Sequence, residues 1–143
     1  MKLNQEGYTA LHQREGLRLK PYLDTKKVPT IAMGNTFYEN GSPVKMTDKA
    51  LTFAEAEHLA KVISDIFAAR VNFLVKSEVN QNQFNALVSL AYNIGLGGFE
   101  DSTVLKLVNE NPNNEKIADA FMMWTKNKEL IGRRKSEVEQ YFK

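Results

Sequence analysis

The chain has no cysteine, which excludes disulfides, thiol nucleophiles and Cys-ligated zinc. It has only two histidines, His12 and His58. Neither has a second histidine one helical turn away, so surface or capping roles are expected for both and no metal centre. Long apolar runs are also missing. No stretch approaches the ~18 residues a membrane helix needs, so no stable membrane insertion is expected. The opening MKLNQEGYTALHQREG lacks the apolar segment of a signal peptide, so synthesis and folding in the cytoplasm are expected. An excess of one charge is absent too. Nineteen Lys and Arg against 17 Asp and Glu leave a net charge of +2, too little to argue for nucleic acid. A weak affinity for an anionic polymer is compatible with it. What remains is ordinary: 143 residues, 43% hydrophobic, enough for one domain that buries a core unaided.

Organisation follows from where the punctuating residues fall. The first segment reads as a helix from about Asn4 to Glu15, with Leu3, Tyr8 and Leu11 on one face and Gly16 as its stop. From Leu17 to about Met46 the pattern changes. Leu17 and Leu19 alternate with Arg18 and Lys20, and Pro21, Pro29, Gly34, Gly41 and Pro43 interrupt the rest. Two or three short antiparallel strands are expected, with Pro29 at an edge or strand start. Thr52 and Glu55 form a capping-box pattern before a long helix reaching about Val75. Its expected buried side carries Leu59, Val62, Ile63, Ile66, Phe67 and Leu74. Asn80 with Gln83 opens the next helix, which Gly95 ends. A short helix starts at Asp101 or Ser102 and stops before Pro112. Another carries Ile117, Ala120, Phe121 and Trp124, with Phe121 to Trp124 expected in the core. The last runs from roughly Arg133 to Phe142. The expected class is α+β, mainly α: a β lobe over about 17–46, a long connecting helix, and a helical lobe over about 75–143 that includes the N-terminal helix. All of 1–143 forms one catalytic domain in this reading.

Within that plan three side chains stand at a telling spacing. Glu15 closes the first helix, Asp24 follows in a turn with eight residues between them, and Thr30 follows with five residues between it and Asp24. Two carboxylates on opposite walls of a cleft are what glycosidic bond cleavage needs: one protonates the departing oxygen, the other activates water. A hydroxyl can hold that water. Taken singly, Glu15 is an ordinary helix-end acid, Asp24 a turn former and Thr30 a strand threonine. The spacing acquires weight from its surroundings.

EGLRLKPYLD and TIAMGNT at the front, QFNALVSLAYNIGLGGFEDSTVLKLVN in the middle, and Trp124 with GRRKSE near the end closely resemble the motif blocks of the phage-type lysozymes, glycoside hydrolase family 24, in the right order over nearly the whole chain. The resemblance implies the fold described above. It implies a muramidase, possessing no cofactor, that cleaves the β-1,4 bond between N-acetylmuramic acid and N-acetylglucosamine in peptidoglycan glycan strands. Glu15 would be the general acid, Asp24 would orient or deprotonate the attacking water, and Thr30 would help position it. The reaction would invert the anomeric centre, matching a carboxylate gap of roughly 6.5–9.5 Å. Arg134, with Arg133 as the alternative, matches the arginine that pairs with the catalytic acid. Thr36, Tyr92, Asn93 and Ser102 match substrate-binding positions.

The chain departs from the family's TIGYGHT at Ala32, Met33 and Asn35, where glycine, tyrosine and histidine are usual. Lys27 stands where a turn glycine is common, followed by Pro29. Two other readings compete with hydrolysis. A lytic transglycosylase on the same scaffold would not need Asp24, and an inactive glycan-binding relative would not need any of the three polar residues. The expected biology is that of a monomeric phage endolysin that reaches the periplasm after a holin-like protein opens the membrane.

Overall fold

The computed structural model describes all of residues 1–143. The chain forms two compact units, Tyr8–Asp65 on the one hand and Met1–Gly7 with Ile66–Lys143 on the other.

In the Tyr8–Asp65 unit, helix α1 (Gln5–Glu15) contributes all but its first turn. It starts where Asn4 Oδ1 accepts the Gly7 amide at 3.0 Å. It stops at Gly16, whose φ of 78° admits a left-handed turn and whose amide donates to the His12 carbonyl at 2.8 Å. Strands β1 (Arg18–Leu23) and β2 (Pro29–Ala32) pair antiparallel, with Tyr22 opposite Thr30 and Leu23 opposite Pro29. Pro29 opens β2, where a missing amide costs least. The register slips between Arg18 and Tyr22, which marks a bulge. Of the two or three strands expected, two form. The following segment adds only single bridges, Ile31 to Asn35 and Phe37 to Pro43. Ile31, Ala32, Val44, Ala56 and Leu59 build the unit's core, with Leu17, Tyr38 and Leu51 packed against it.

Helix α2 (Phe53–Leu74) begins in the predicted capping box: the Thr52 amide donates to Glu55 at 2.9 Å and the Glu55 amide to Thr52 Oγ1 at 3.1 Å. Its buried row corrects the expected one in part. Leu59 and Leu74 are buried as expected and Val62, Ile63 and Phe67 are half-buried, but Ile66 is 59% exposed. Ala56, Ala60, Ser64, Ala68 and Val71 are also buried, at steps of four and three residues. These small side chains carry little hydrophobic signal, so they were passed over and the larger Ile66 was wrongly included.

The Ile66–Lys143 part is helical. Helix α3 (Gln81–Ile94) opens on a reciprocal Asn80–Gln83 capping box, and every residue from Gln83 to Ala91 is buried. A helix enclosed on all sides is the centre of its unit. It packs against α7 (Glu129–Tyr141), which starts four residues before the expected Arg133. Gly95 ends α3, and an unexpected short helix α4 (Leu96–Glu100) follows directly. Its Gly97 and Gly98 are poor helix formers and hide it. At Gly98 a side chain would be a tight fit, because a Cβ there would lie 3.3 Å from the Trp124 ring. Helix α5 (Thr103–Glu110) is capped by Ser102 and ends before Pro112, as expected. Helix α6 (Lys116–Met122) stops short of Trp124, which is only half-buried, and Met123 is exposed rather than in the core. No helix is long and apolar enough to cross a membrane.

Candidate active site

Glu15, Asp24 and Thr30 all belong to the Tyr8–Asp65 unit. Glu15 is the last residue of α1, half-buried, with its Oε1 shielded from solvent. Asp24 follows β1 and organises the turn to β2. Its Oδ1 accepts the amides of Lys26 at 2.8 Å and Val28 at 2.9 Å. The backbone closes the same turn, with Asp24 N donating to Val28 O at 3.0 Å and Lys27 N to Asp24 O at 2.9 Å. Both side-chain bonds converge on Oδ1.

Thr30 is joined to Asp24 through Val28. Its Oγ1 donates to the Val28 carbonyl at 2.8 Å, while the Val28 amide donates to Asp24. Thr30 is buried, and Tyr22 lies opposite it in the ladder. With its proton committed to Val28, the hydroxyl can act only as an acceptor toward a further partner.

The remaining expected residues occupy varied settings. Thr36 is half-buried, and its carbonyl accepts the Val44 amide at 2.9 Å. Tyr92 is half-buried against Phe67, with ring centroids 4.6 Å apart. Asn93 is exposed, and its Oδ1 accepts from Arg134 Nη2. The Ser102 hydroxyl is engaged at both ends, accepting the Leu105 amide at 3.1 Å and donating to the Phe99 carbonyl at 2.7 Å. Arg134 is fully buried; besides Asn93 it donates through Nε to the Trp124 carbonyl at 3.0 Å and through Nη1 to Glu137 at 2.6 Å.

Residues 12–137 match the Phage lysozyme family. The chain is 37% identical over 126 residues to an endolysin of Salmonella phage P22, covering 88% of this chain and 85% of that one. It is 38% identical over 128 residues to an endolysin of Bacillus phage B103, of which it spans about half the length, 46%. Its backbone superposes on an endolysin from Escherichia coli O157:H7 phage FAHEc1 with a TM-score of 0.89 at 35% identity, covering 99% of this chain and 93% of that one. The chain belongs to the phage lysozyme family.

Family membership gives the departures from TIGYGHT a physical meaning. Lys27 and Ala32 are the two non-glycine residues with positive φ, 63° and 59°. Both stand where the motif of the resembled family has glycine, the residue that best suits such a left-handed backbone. Asn35 is buried and makes two bonds: its Oδ1 accepts the Met33 amide and its Nδ2 donates to the Leu59 carbonyl, each at 3.1 Å. An amide thus ties the turn to α2.

Sequence reasoning missed three features. Glu137 is fully buried and holds both arginines of GRRKSE, an i,i+3 and i,i+4 pattern that was legible in the motif. His58 is no isolated surface histidine: its Nε2 lies 2.6 Å from Glu39 Oε2. They line an open groove of about 580 Å³ with Tyr38, Leu51, Ala54 and Leu59, and it contains none of the expected site residues. His12, expected at the surface or in a cap, has a buried Nε2 with no hydrogen-bond partner. Burial lowers its pKa; on α2, Glu57 opposes that shift and Lys61 adds to it.

Proposed function

We propose that this member of the phage lysozyme family is a peptidoglycan hydrolase of the endolysin type, cleaving the β-1,4 bond between N-acetylmuramic acid and N-acetylglucosamine with inversion. The observation that carries the reading is the Asp24–Val28–Thr30 arrangement. One residue, Val28, holds both the carboxylate through its amide and the hydroxyl through its carbonyl, which is equipment for handling a water. A transglycosylase, whose nucleophile is the sugar's own hydroxyl, has no use for it. Glu15 supplies the general acid in this scheme, Asp24 activates or orients the water and Thr30 positions it. Thr36, Tyr92 and Asn93 meet the glycan, and Ser102 supports it by capping α5. The enzyme acts as a monomer without a cofactor, and it reaches the wall only after a holin-like protein has opened the membrane.

Two measurements test this. Mass analysis of muropeptides released from purified wall should show reducing ends; 1,6-anhydro ends would establish the transglycosylase instead. Proton NMR during the first minutes of hydrolysis should show the α-anomer forming first, and a β-anomer would contradict inversion.

A further inference from the structure

Glu137 and Arg134 belong to a buried ladder between α3 and α7. Ser89 Oγ donates to Glu137 Oε2 at 2.5 Å, and Arg133 Nε donates to the same oxygen at 3.2 Å. One turn further along α3, Asn93 accepts from Arg134, whose other donors go to Glu137 Oε1 and the Trp124 carbonyl. Arg134 and Glu137 both have no exposed surface. A guanidinium held at three nitrogens by three different groups cannot rotate away. It also has donors only, so the Asn93 amide can face it in one orientation, carbonyl inward. The Nδ2 group of Asn93, an exposed residue, must therefore point elsewhere with two N–H donors. An asparagine without such a neighbour would flip freely and offer solvent an acceptor as readily as a donor.

We propose that the Glu137–Arg134 pair is a positioning device that locks the Asn93 amide, so that Asn93 presents its Nδ2 donors to the acetamido carbonyl of an N-acetylated sugar. This rests on the reading above that the chain acts on peptidoglycan. Of the groups that distinguish this glycan from cellulose-like polymers, the acetamido carbonyl is a strong neutral acceptor, and a fixed donor pair discriminates for it. Glu137 and Arg134 act through Asn93 and touch no substrate.

The decisive variant is Asn93→Asp. A carboxylate keeps the bond to Arg134, now charge-assisted, and loses only the outward donors. N93D should therefore fold with an undiminished Tm. Its KM for purified peptidoglycan should rise by about five- to tenfold, the worth of one hydrogen bond, with kcat changed less. Its preference for native over chemically de-N-acetylated wall should shrink by a similar factor. In ¹H–¹⁵N spectra the Asn93 side-chain amide, assigned by its loss in N93D, should be dispersed in the wild type and collapse toward the free-amide position in Glu137→Gln. If E137Q does not fold, Glu137→Asp, which keeps the charge but shortens the reach, carries the same comparison. An N93D enzyme with unchanged KM and unchanged preference, or an Asn93 signal indifferent to both Glu137 variants, overturns the proposal. A wild type that cleaves no wall overturns the hydrolase reading beneath it, a result distinct from normal wild-type cleavage with an unaffected N93D.

Discussion

Asn35 Nδ2 donates to the carbonyl of Leu59 at 3.1 Å, reaching from the turn after β2 to a residue 24 positions on in the chain. With its Oδ1 on the Met33 amide, this one side chain replaces a titratable histidine by a group that carries no charge at any pH. Asn35→Ala strands a buried amide and should cost about 1–3 kcal/mol. Because asparagine does not titrate, urea unfolding should give the same loss at pH 5 and pH 8. A loss that varied strongly between them would mean that an ionisable neighbour, not the amide, holds the turn.

Lys27 and Ala32 share a left-handed backbone but differ in burial, and their glycine substitutions should part accordingly. Lys27 is exposed, so Lys27→Gly should relieve roughly 1 kcal/mol of strain at no packing cost, offset in part by the freer unfolded chain. Ala32 is a buried core residue, and Ala32→Gly would also lose a methyl worth about 0.8 kcal/mol. Thermal melts should therefore show Lys27→Gly stabilised or neutral and Ala32→Gly the less favourable of the two. The opposite order would contradict the strain argument.

Catalysis should separate from stability at Asp24. Asn keeps the Oδ1 acceptor that binds the Lys26 and Val28 amides, so Asp24→Asn should leave Tm nearly unchanged. It should lose about a hundredfold or more in wall hydrolysis, as should Glu15→Gln, since general acid–base contributions typically span 10²–10⁴. A Glu15→Gln enzyme retaining more than about a tenth of wild-type activity would remove Glu15 from the acid role.

The candidate residues could be picked out because chemistry demands particular atoms at particular places, and the motif blocks quote them literally. The helices were legible from periodicity and capping boxes. The errors fall where small residues do the packing. The Ala56–Ala60–Ser64–Ala68 row misplaced Ile66, and the Gly97–Gly98 pair concealed α4. Glu137 was overlooked for a different reason. An acid on a terminal helix reads as solvated, and only three-dimensional structure shows it enclosed with two arginines.

His12 gives the fold a pH sensitivity with a definite sign. Its folded pKa lies below the usual 6.5, so the unfolded chain takes up a proton first as pH falls. The resulting stability is fully present above about pH 6.5 and is lost as pH drops through the depressed folded value. Tyr8 beside it stays neutral over this range, because burial and its bond to Asp65 push its pKa up to about 12. Chemical denaturation of His12→Gln should accordingly show a smaller loss between pH 7 and pH 5 than the wild type. An identical slope in both proteins would assign the acid sensitivity elsewhere.

The enclosure of α3 has a consequence for time as well as for packing. A helix buried from Gln83 to Ala91 has no face from which it can fray without dismantling the helices around it. Its central amides should exchange with deuterium only when the whole unit opens, so their protection would read the global free energy of unfolding directly. Asn93, two residues beyond that stretch, sits where this slow interior gives way to exposed surface.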